Sequence, residues 1–320
     1  MCTGIRFTDD KGQMYFGRNL DWNTAFGERV LATPATFALG YSFTEAPANP
    51  HAIIGMGIVG EDGAPLYFDC GNDAGLAIAG LNFPGYAQYA DKPVDGKVNV
   101  AAYEFPWWVA ASFATVDEAE AALENVAIVG KPAGKYGVSM LHWIIGDATR
   151  SIVVEYTAAG MQIFHDEVDA LTNQPGFDYH RENLRNYLAL TPTMPADVKW
   201  REDELTPFGS GLGMHGLPGE FSSPARFVRA SYFNAHYPVQ SGEAANVSRL
   251  FHTLTACAMI DGGAAMADGT FERTIFTGGF SAPAQTYYYS TYEDPAIRSV
   301  ALADALAKGD GTKVVEVPLA

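Results

Sequence analysis

The chain has 320 residues, of which 48% are hydrophobic and 18% charged, an ordinary globular balance that excludes a disordered tail protein or a coiled coil. Lysine and arginine number 20 against 37 acidic residues, so the net charge is −17. This acidity argues against nucleic acid as a partner, which needs a basic surface, and against docking on a membrane of anionic lipid.

Short strands dominate the first eighty residues. The predicted strands, separated by glycine-containing turns, are 14–19, 52–59, 65–69 and 75–81. The apolar stretch 98–116 contains Glu104 and Pro106, which are costly in hydrocarbon. We therefore predict a buried helix pair broken at Pro106 rather than a membrane span.

Helices and strands both occur in the rest of the chain. A helix over 116–126 is predicted to begin after Thr115, with Glu118 completing a capping box. Further predicted helices are 177–190, 222–235 and 243–260, and further predicted strands are 139–145, 151–156, 273–277 and 286–292. Because several strands follow one another directly, antiparallel pairing is favoured over a βαβ winding, and two packed sheets flanked by helices fit the pattern.

The cysteines are Cys2, Cys70 and Cys257, an odd number with no CxxC pair. A disulfide framework is therefore not expected and a reduced, cytoplasmic compartment is, since the polar first residues do not indicate a secretory signal. Cys70 and Cys257 are predicted to be core residues. The histidines show no metal-ligand spacing such as HExxH, so we expect no metal.

Cys2 follows the first methionine, and removal of Met1 would place a thiol and a free α-amine on one residue. An α-amine has an ordinary pKa of about 7.7–8.0 and can act as a base near neutral pH. Arg18 and Asp21 lie just after a predicted strand; a cation favours a thiolate, and a carboxylate can orient an ammonium group. Taken alone, these residues are also compatible with an inert buried cysteine and a surface ion pair at a turn.

The N-terminal segment resembles the choloylglycine hydrolase family, the bile salt hydrolases and penicillin V acylases of the N-terminal nucleophile class. The similarity continues in order along nearly the whole chain, through segments 68–70, 75–86, 151–156, 171–178, 216–229 and 286–292. The resemblance implies an α+β fold, the Ntn-hydrolase fold, a four-layer αββα sandwich of two antiparallel sheets flanked by helices. It also implies one domain over residues 1–320 and a homotetramer.

The resemblance assigns catalytic roles residue by residue. The matching positions are Cys2 as the nucleophile, Arg18 and Asp21 as its early polar partners, Asn82, Asn173 as the oxyanion-hole asparagine, and Arg226 as the second catalytic arginine. Asn82 favours the bile salt branch, because penicillin acylases usually have tyrosine there. Taken alone, Asn82 could be a turn former, Asn173 a loop cap and Arg226 a helix-face charge.

The implied reaction is hydrolysis of glycine- or taurine-conjugated bile salts through a thioester on Cys2, with no cofactor. The side chain of Asn173 and a backbone N–H near Asn82 would stabilise the tetrahedral oxyanion. Asp21 would orient the α-amine, while Arg18 and Arg226 would favour the thiolate.

A cleft that binds a steroid should be rich in aromatic side chains, although aromatic residues also fill ordinary cores. The predicted pocket residues are Trp22, Phe26, Phe83 and Leu212. Leu212 lies in a small apolar Gly-Leu-Gly loop, which by resemblance implies that taurine conjugates are accepted. The alternatives are penicillin V acylase activity and, in another class, a non-catalytic bile-acid-binding or redox thiol protein, which gains weight if Met1 stays attached.

Overall fold

Strands make up most of the regular structure in the computed structural model, which describes residues 1–38, 40–47 and 50–320. The strands, in chain order, are β1 (Cys2–Thr8), β2 (Met14–Trp22), β3 (Arg29–Thr33), β4 (Ile53–Val59), β5 (Pro65–Asn72), β6 (Ala77–Asn82), β7 (Val98–Ala101), β8 (Val126–Val129), β9 (Leu141–Gly146), β10 (Ser151–Thr157), β11 (Gly160–Asp166), β12 (Ala170–Leu171), β13 (Val198–Trp200), β14 (Asp203–Leu205), β15 (Ala264–Ala265), β16 (Phe271–Ser281), β17 (Thr286–Thr291), β18 (Arg298–Ala301) and β19 (Val315–Val317). The helices are α1 (Phe105–Ser112), α2 (Val116–Leu123), α3 (Phe177–Asn183), α4 (Ser223–His236), α5 (Glu243–Thr255) and α6 (Leu302–Leu306).

Two large sheets face each other. The first has the strand order β12–β1–β2–β16–β17–β18, with β15 beside β16, and the second has the order β11–β10–β9–β6–β5–β4–β3–β19. Over the described ranges, the pairings within both sheets are antiparallel. Strands β1 and β2 lie against β6, β16 against β5, and β17 against β4.

Helices cover the outer faces of the two sheets. Helices α4 and α5 pack on β1, β2 and β16, while α1 packs on β5 and β6 and α2 on β10. Gly71 in β5 lets the sheets approach closely, because a Cβ atom there would lie 2.2 Å from the ring of Phe280 in β16. The expected α+β fold and its four-layer αββα sandwich are confirmed.

The prediction of a helix pair over 98–116 is wrong. Residues Val98–Ala101 form β7, which pairs in parallel with β8. Pro106 does not break a helix but lies in the first turn of α1. A proline is tolerated there because its missing N–H would have no partner within the helix.

Several other boundaries differ from the sequence prediction. Thr115 caps α2 as predicted, since its side chain accepts a hydrogen bond from the Glu118 N–H, but α2 ends at Leu123 and Val126 already begins β8. The helices predicted to reach 190 and 260 end at Asn183 and Thr255. No helix of the described residues is long and apolar enough to cross a bilayer.

Candidate active site

Cys2 is the first residue of β1, which lies inside the first sheet between β2 and β12. Because β1 and β2 are antiparallel, the start of β1 meets the end of β2, and Cys2 pairs with Leu20. The side chain of Cys2 is 5% exposed. This register brings the cysteine close to Asp21 at the end of β2 and to Asn173 in the loop after β12.

The carboxamide of Asn173 is held from three directions. Its Oδ1 accepts hydrogen bonds from the backbone N–H of Cys2 and from Nη2 of Arg226, each at 2.7 Å. Its Nδ2 donates to the carbonyl oxygen of Asn82, also at 2.7 Å. Two donors facing the oxygen and one acceptor facing the nitrogen define the orientation of the amide. The second hydrogen of Nδ2 is not used by this set of bonds.

Arg226 reaches the same site from α4 and is fully buried. Its Nη1 donates to the Cys2 carbonyl oxygen and, at 2.7 Å, to Oγ1 of Thr3, while Nε donates to the Phe221 carbonyl oxygen at 3.0 Å. Its Nη1 also lies 3.8 Å from Oδ2 of Asp21. A guanidinium group with several donors in a rigid plane can hold these separate elements together.

Asp21 is fully buried beside Arg226. Its Oδ1 accepts a hydrogen bond of 2.6 Å from Oγ1 of Thr274. Its Oδ2 has no hydrogen-bond partner within the described part of the chain. A buried carboxylate oxygen without a donor is costly, so Oδ2 is suited to accept from an ammonium group.

Met1 occupies the space alongside the Asp21 backbone. Its carbonyl oxygen accepts from the Asp21 N–H at 2.8 Å, and its ammonium group donates to the Asp21 carbonyl oxygen. The same ammonium group lies 3.2 Å from Oε1 of Glu272. With Met1 attached, the Cys2 nitrogen is an amide nitrogen; loss of Met1 would turn it into an α-amine.

Arg18 is buried, and its Nη1 reaches towards the second sheet. Its Nε donates to the Asn19 carbonyl oxygen at 3.0 Å and its Nη1 to the Phe68 carbonyl oxygen at 3.4 Å. Nη1 also lies 3.9 Å from Oδ1 of Asp69, whose Oδ2 accepts from the Tyr287 hydroxyl at 2.6 Å. Burial raises the pKa of Asp69 to about 6, and Arg18 opposes that rise.

The predicted pocket residues lie in different environments. Trp22 and Phe26 are half-buried and form an aromatic cluster with Phe68 and Tyr136, with neighbouring ring centroids 5.3–6.3 Å apart. Phe83 is fully buried and stacks on His142. Leu212 lines a separate surface cavity of about 290 Å³ with Phe208, Met214 and His215.

The structure thus joins five of the predicted catalytic residues in one network. They are Cys2, Asp21, Asn82, Asn173 and Arg226. Arg18 stands next to this network at the contact between the sheets. Across residues 1–38, 40–47 and 50–320, no group of three or more His, Cys, Asp and Glu side chains is placed to hold a metal ion.

Other polar residues of the site were not singled out from the sequence. Thr3 and Thr274 bond to Arg226 and Asp21, and Ser223, His142 and His180 bond to the backbone around Asn173. These partners come from distant segments, and no local spacing relates them. The family similarity over segment 171–178 indicated the loop that carries Asn173. It did not indicate the side chains that hydrogen-bond to the backbone of that loop.

His180 should make the fold sensitive to acid. Burial lowers the pKa of His180 from 6.5 to about 4, so the unfolded chain binds its proton more readily than the folded chain. The folded state should therefore lose stability as pH falls from about 6.5 to 4, by up to about 1.4 kcal/mol per pH unit from this group.

The matched variant is His180→Gln, which does not titrate and retains an N–H to donate. We expect its free energy of unfolding, measured with urea between pH 4 and 7, to fall less steeply than that of the native chain. If the free energies of unfolding of the two proteins fell equally steeply with decreasing pH, His180 would not be the cause of the acid sensitivity.

Comparison with known proteins places the chain in a family. The sequence profile of the linear amide C–N hydrolases of the choloylglycine hydrolase family matches residues 2–315. A bile salt hydrolase/transferase of Bifidobacterium longum subsp. longum is 57% identical over 305 residues, covering 95% of this chain and 96% of the relative.

Solved structures agree with this match. A mutant conjugated bile acid hydrolase from Clostridium perfringens has a TM-score of 0.90 at 31% identity, covering 100% of this chain and 97% of that one. A penicillin V acylase from Agrobacterium tumefaciens shares the fold, with a TM-score of 0.74 at 20% identity over 100% of this chain and 92% of that one. The chain is a member of the choloylglycine hydrolase family and a hydrolase of linear amide C–N bonds.

Proposed function

We propose that the protein cleaves the amide bond of glycine- and taurine-conjugated bile salts, using Cys2 as the nucleophile after removal of Met1. The observation that carries the chemistry is the carboxamide of Asn173, which is bonded to the Cys2 nitrogen and points its Nδ2 towards Asn82. The substrate class is supported by the 57% identity to a bile salt hydrolase/transferase.

In the first step, the Cys2 thiol loses its proton to its own α-amine and attacks the carbonyl carbon of the substrate amide. The developing oxyanion accepts from the free Nδ2 hydrogen of Asn173 and from a backbone N–H near Asn82. The C–N bond then breaks, the α-ammonium group returns a proton to the leaving amine, and a thioester remains on Cys2.

In the second step, water gives a proton to the α-amine and attacks the thioester carbonyl. The C–S bond breaks, the thiolate leaves, and the free bile acid is released. Asp21 supports both steps because its Oδ2 is buried, has no hydrogen-bond partner among the described residues, and can accept from the α-ammonium group. Arg226 keeps the Cys2 backbone and the Asn173 oxygen in place through its hydrogen bonds to both.

The steroid body should contact the aromatic cluster of Trp22, Phe26 and Tyr136. Trp22 and Phe26 are half-buried, and Tyr136 is 43% exposed, so the cluster has apolar surface left for a ligand. Leu212 remains a proposed pocket residue in the loop linked to head-group preference. A small apolar loop there should leave room for the bulkier taurine conjugates.

The test is release of free amine from glycocholate and taurocholate, with penicillin V in parallel and the intact mass of the protein measured first. We expect a mass that lacks one methionine, amine from both bile salts, and little turnover of penicillin V. If penicillin V alone were hydrolysed, the protein would be a penicillin V acylase with the same nucleophile. If a protein that has lost Met1 hydrolyses none of the three substrates, a bile-acid-binding protein without catalysis is favoured. If Met1 is retained and Cys2 is sensitive to oxidation, a redox thiol protein is favoured.

We also propose that residues 1–320 form one domain and that four copies assemble. The segment around the β13–β14 hairpin exposes large apolar side chains, namely Leu188, Met194, Val198, Trp200 and Phe208. We expect these side chains to lie between copies, because their apolar surface would there be removed from water. Light scattering should give four times the mass of one chain, and Trp200→Glu should lower it; a native mass of one chain would contradict this assembly.

A cytoplasmic location is proposed on the cysteine chemistry. Cys2, Cys70 and Cys257 are all free thiols and all buried. Free thiols are typical of proteins kept in a reducing compartment.

A further inference from the structure

The backbone on both sides of Asn173 is bonded to buried side chains from three different elements. His142 in β9 lies with Nε2 2.7 Å from the Thr172 carbonyl oxygen, and His180 in α3 lies with Nε2 2.8 Å from the Asn173 carbonyl oxygen. The Asn173 N–H donates to Oγ of Ser223, at the start of α4, at 2.8 Å. The two histidines are fully buried and Ser223 nearly so. The loop that carries the oxyanion donor is therefore supported beneath its backbone as well as at its side chain.

The ring of His142 is itself fixed on three sides. Nε2 faces the Thr172 carbonyl oxygen and so carries a hydrogen, and Nδ1 lies 3.1 Å from Oε1 of Glu155. The ring stacks on Phe83 at a centroid distance of 4.1 Å and an interplanar angle of 7°. The same Oε1 of Glu155 accepts from the Phe177 N–H at 2.9 Å, so one carboxyl group fixes both the imidazole and the first turn of α3.

This support bears on the reaction because an oxyanion donor works only in the correct position. An error of about 1 Å in a catalytic group can cost about 10²-fold in rate. The position of the Asn173 carboxamide follows that of its backbone, and the carbonyl of the preceding peptide is bonded to His142. A buried carbonyl that loses its only donor moves to find another partner.

We propose that His142, oriented by Glu155, is a positioning residue that sets the oxyanion-binding carboxamide of Asn173 through the Thr172 carbonyl. This inference rests on the proposed amide hydrolysis, for which Asn173 is the donor. His142 itself lies behind the loop and does not touch the substrate. It accounts for a fully buried histidine–carboxylate pair that the catalytic steps do not use.

Two variants of similar size separate this role from simple packing. In His142→Gln the side-chain amide can reach the position of Nε2 and donate to the Thr172 carbonyl, whereas in His142→Asn the amide reaches only the position of Nδ1. We expect the Asn variant to lose about 10²-fold in kcat for taurocholate with KM changed less than twofold, and the Gln variant to regain most of the rate.

Alkylation of Cys2 by iodoacetamide provides the second readout, because displacement of iodide passes through no oxyanion. Its rate should be the same for the native chain and both variants. The inference would be overturned if the Gln and Asn variants had equal kcat values or if only KM changed. It would also be overturned if alkylation slowed together with hydrolysis, or if both variants failed to fold. A native chain that alkylates normally but hydrolyses no bile salt would instead overturn the proposed function.

Discussion

Replacing Cys2 with serine should abolish hydrolysis of conjugated bile salts while leaving the fold intact. A serine hydroxyl is far harder to deprotonate than a thiol, so at neutral pH the alkoxide of residue 2 is far less available for attack than the thiolate. Removal of the nucleophile of a covalent hydrolase can cost up to about 10⁶-fold in kcat. The loss should appear in kcat with both glycocholate and taurocholate, since the same atom attacks both substrates.

The control for this variant is Cys70→Ala. Cys70 is buried in β5, where its thiol contacts the Pro106 carbonyl oxygen at 3.7 Å, and burial raises its pKa well above the usual range. A buried neutral thiol is inert, so this variant should lose some stability and keep its kcat. Near-normal turnover by Cys2→Ser, with circular dichroism spectra equal to those of the native chain, would remove Cys2 from the mechanism.

Replacing Asn173 with alanine should lower kcat by roughly 10²–10³, the usual effect of losing one oxyanion donor. The variant removes the Nδ2 donor and also leaves the Cys2 nitrogen and Nη2 of Arg226 without their acceptor. The main effect should fall on kcat, because the oxyanion forms only as the reaction proceeds. Steady-state kinetics with taurocholate measure the two constants separately.

Asn72→Ala is the matched control for the asparagine. Asn72 is as fully buried as Asn173, and its Nδ2 donates to the carbonyl oxygens of Ala110 and Phe113 at the end of α1. Its loss should lower the free energy of unfolding by about 1–3 kcal/mol and leave kcat unchanged. If Asn173→Ala changed only KM, Asn173 would be a substrate-binding residue instead of an oxyanion donor.

Local signals predicted the elements whose cause is local. Thr115 and Glu118 indicated the start of α2, because a capping box satisfies its own backbone groups within four residues. The end of α2 was predicted three residues too late, since Val126 is apolar and continues the pattern but pairs with β7 in a parallel ladder. The partner strand begins at Val98, far away in the sequence, so nothing near Val126 indicates that pairing.

The segment 98–116 shows the same limit. Its apolar residues are compatible with buried helix or buried strand, because a chain covered on both faces has no polar side to reveal its period. Pro106 was interpreted as a break between two helices, whereas it opens the first turn of α1. Only the presence of β8 beside residues Val98–Ala101 decides that this part is a strand.

The chemical identity of the site was readable in the sequence, but its geometry was not. A cysteine next to the first methionine, with Arg18 and Asp21 nearby, is compatible with a nucleophile and charged partners, and the resemblance along the chain favoured that interpretation. Cys2 and Asn173 stand 171 positions apart, and Arg226 and Asn173 a further 53. Hydrogen bonds over such separations depend on the order of strands in a sheet, which residue spacing does not encode.

The amino-acid order alone therefore determined the family, the reactive residue types and the starts of α2, α3 and α5, because these can be read from the residues themselves. The tertiary structure decided that Arg18 faces Asp69 across the sheet contact and that Phe83 stacks on His142. It also decided that buried histidines hold the Asn173 loop. Each of these outcomes depends on which side chains from distant strands and helices meet when two sheets exclude water between them, and that is settled by packing of the whole chain.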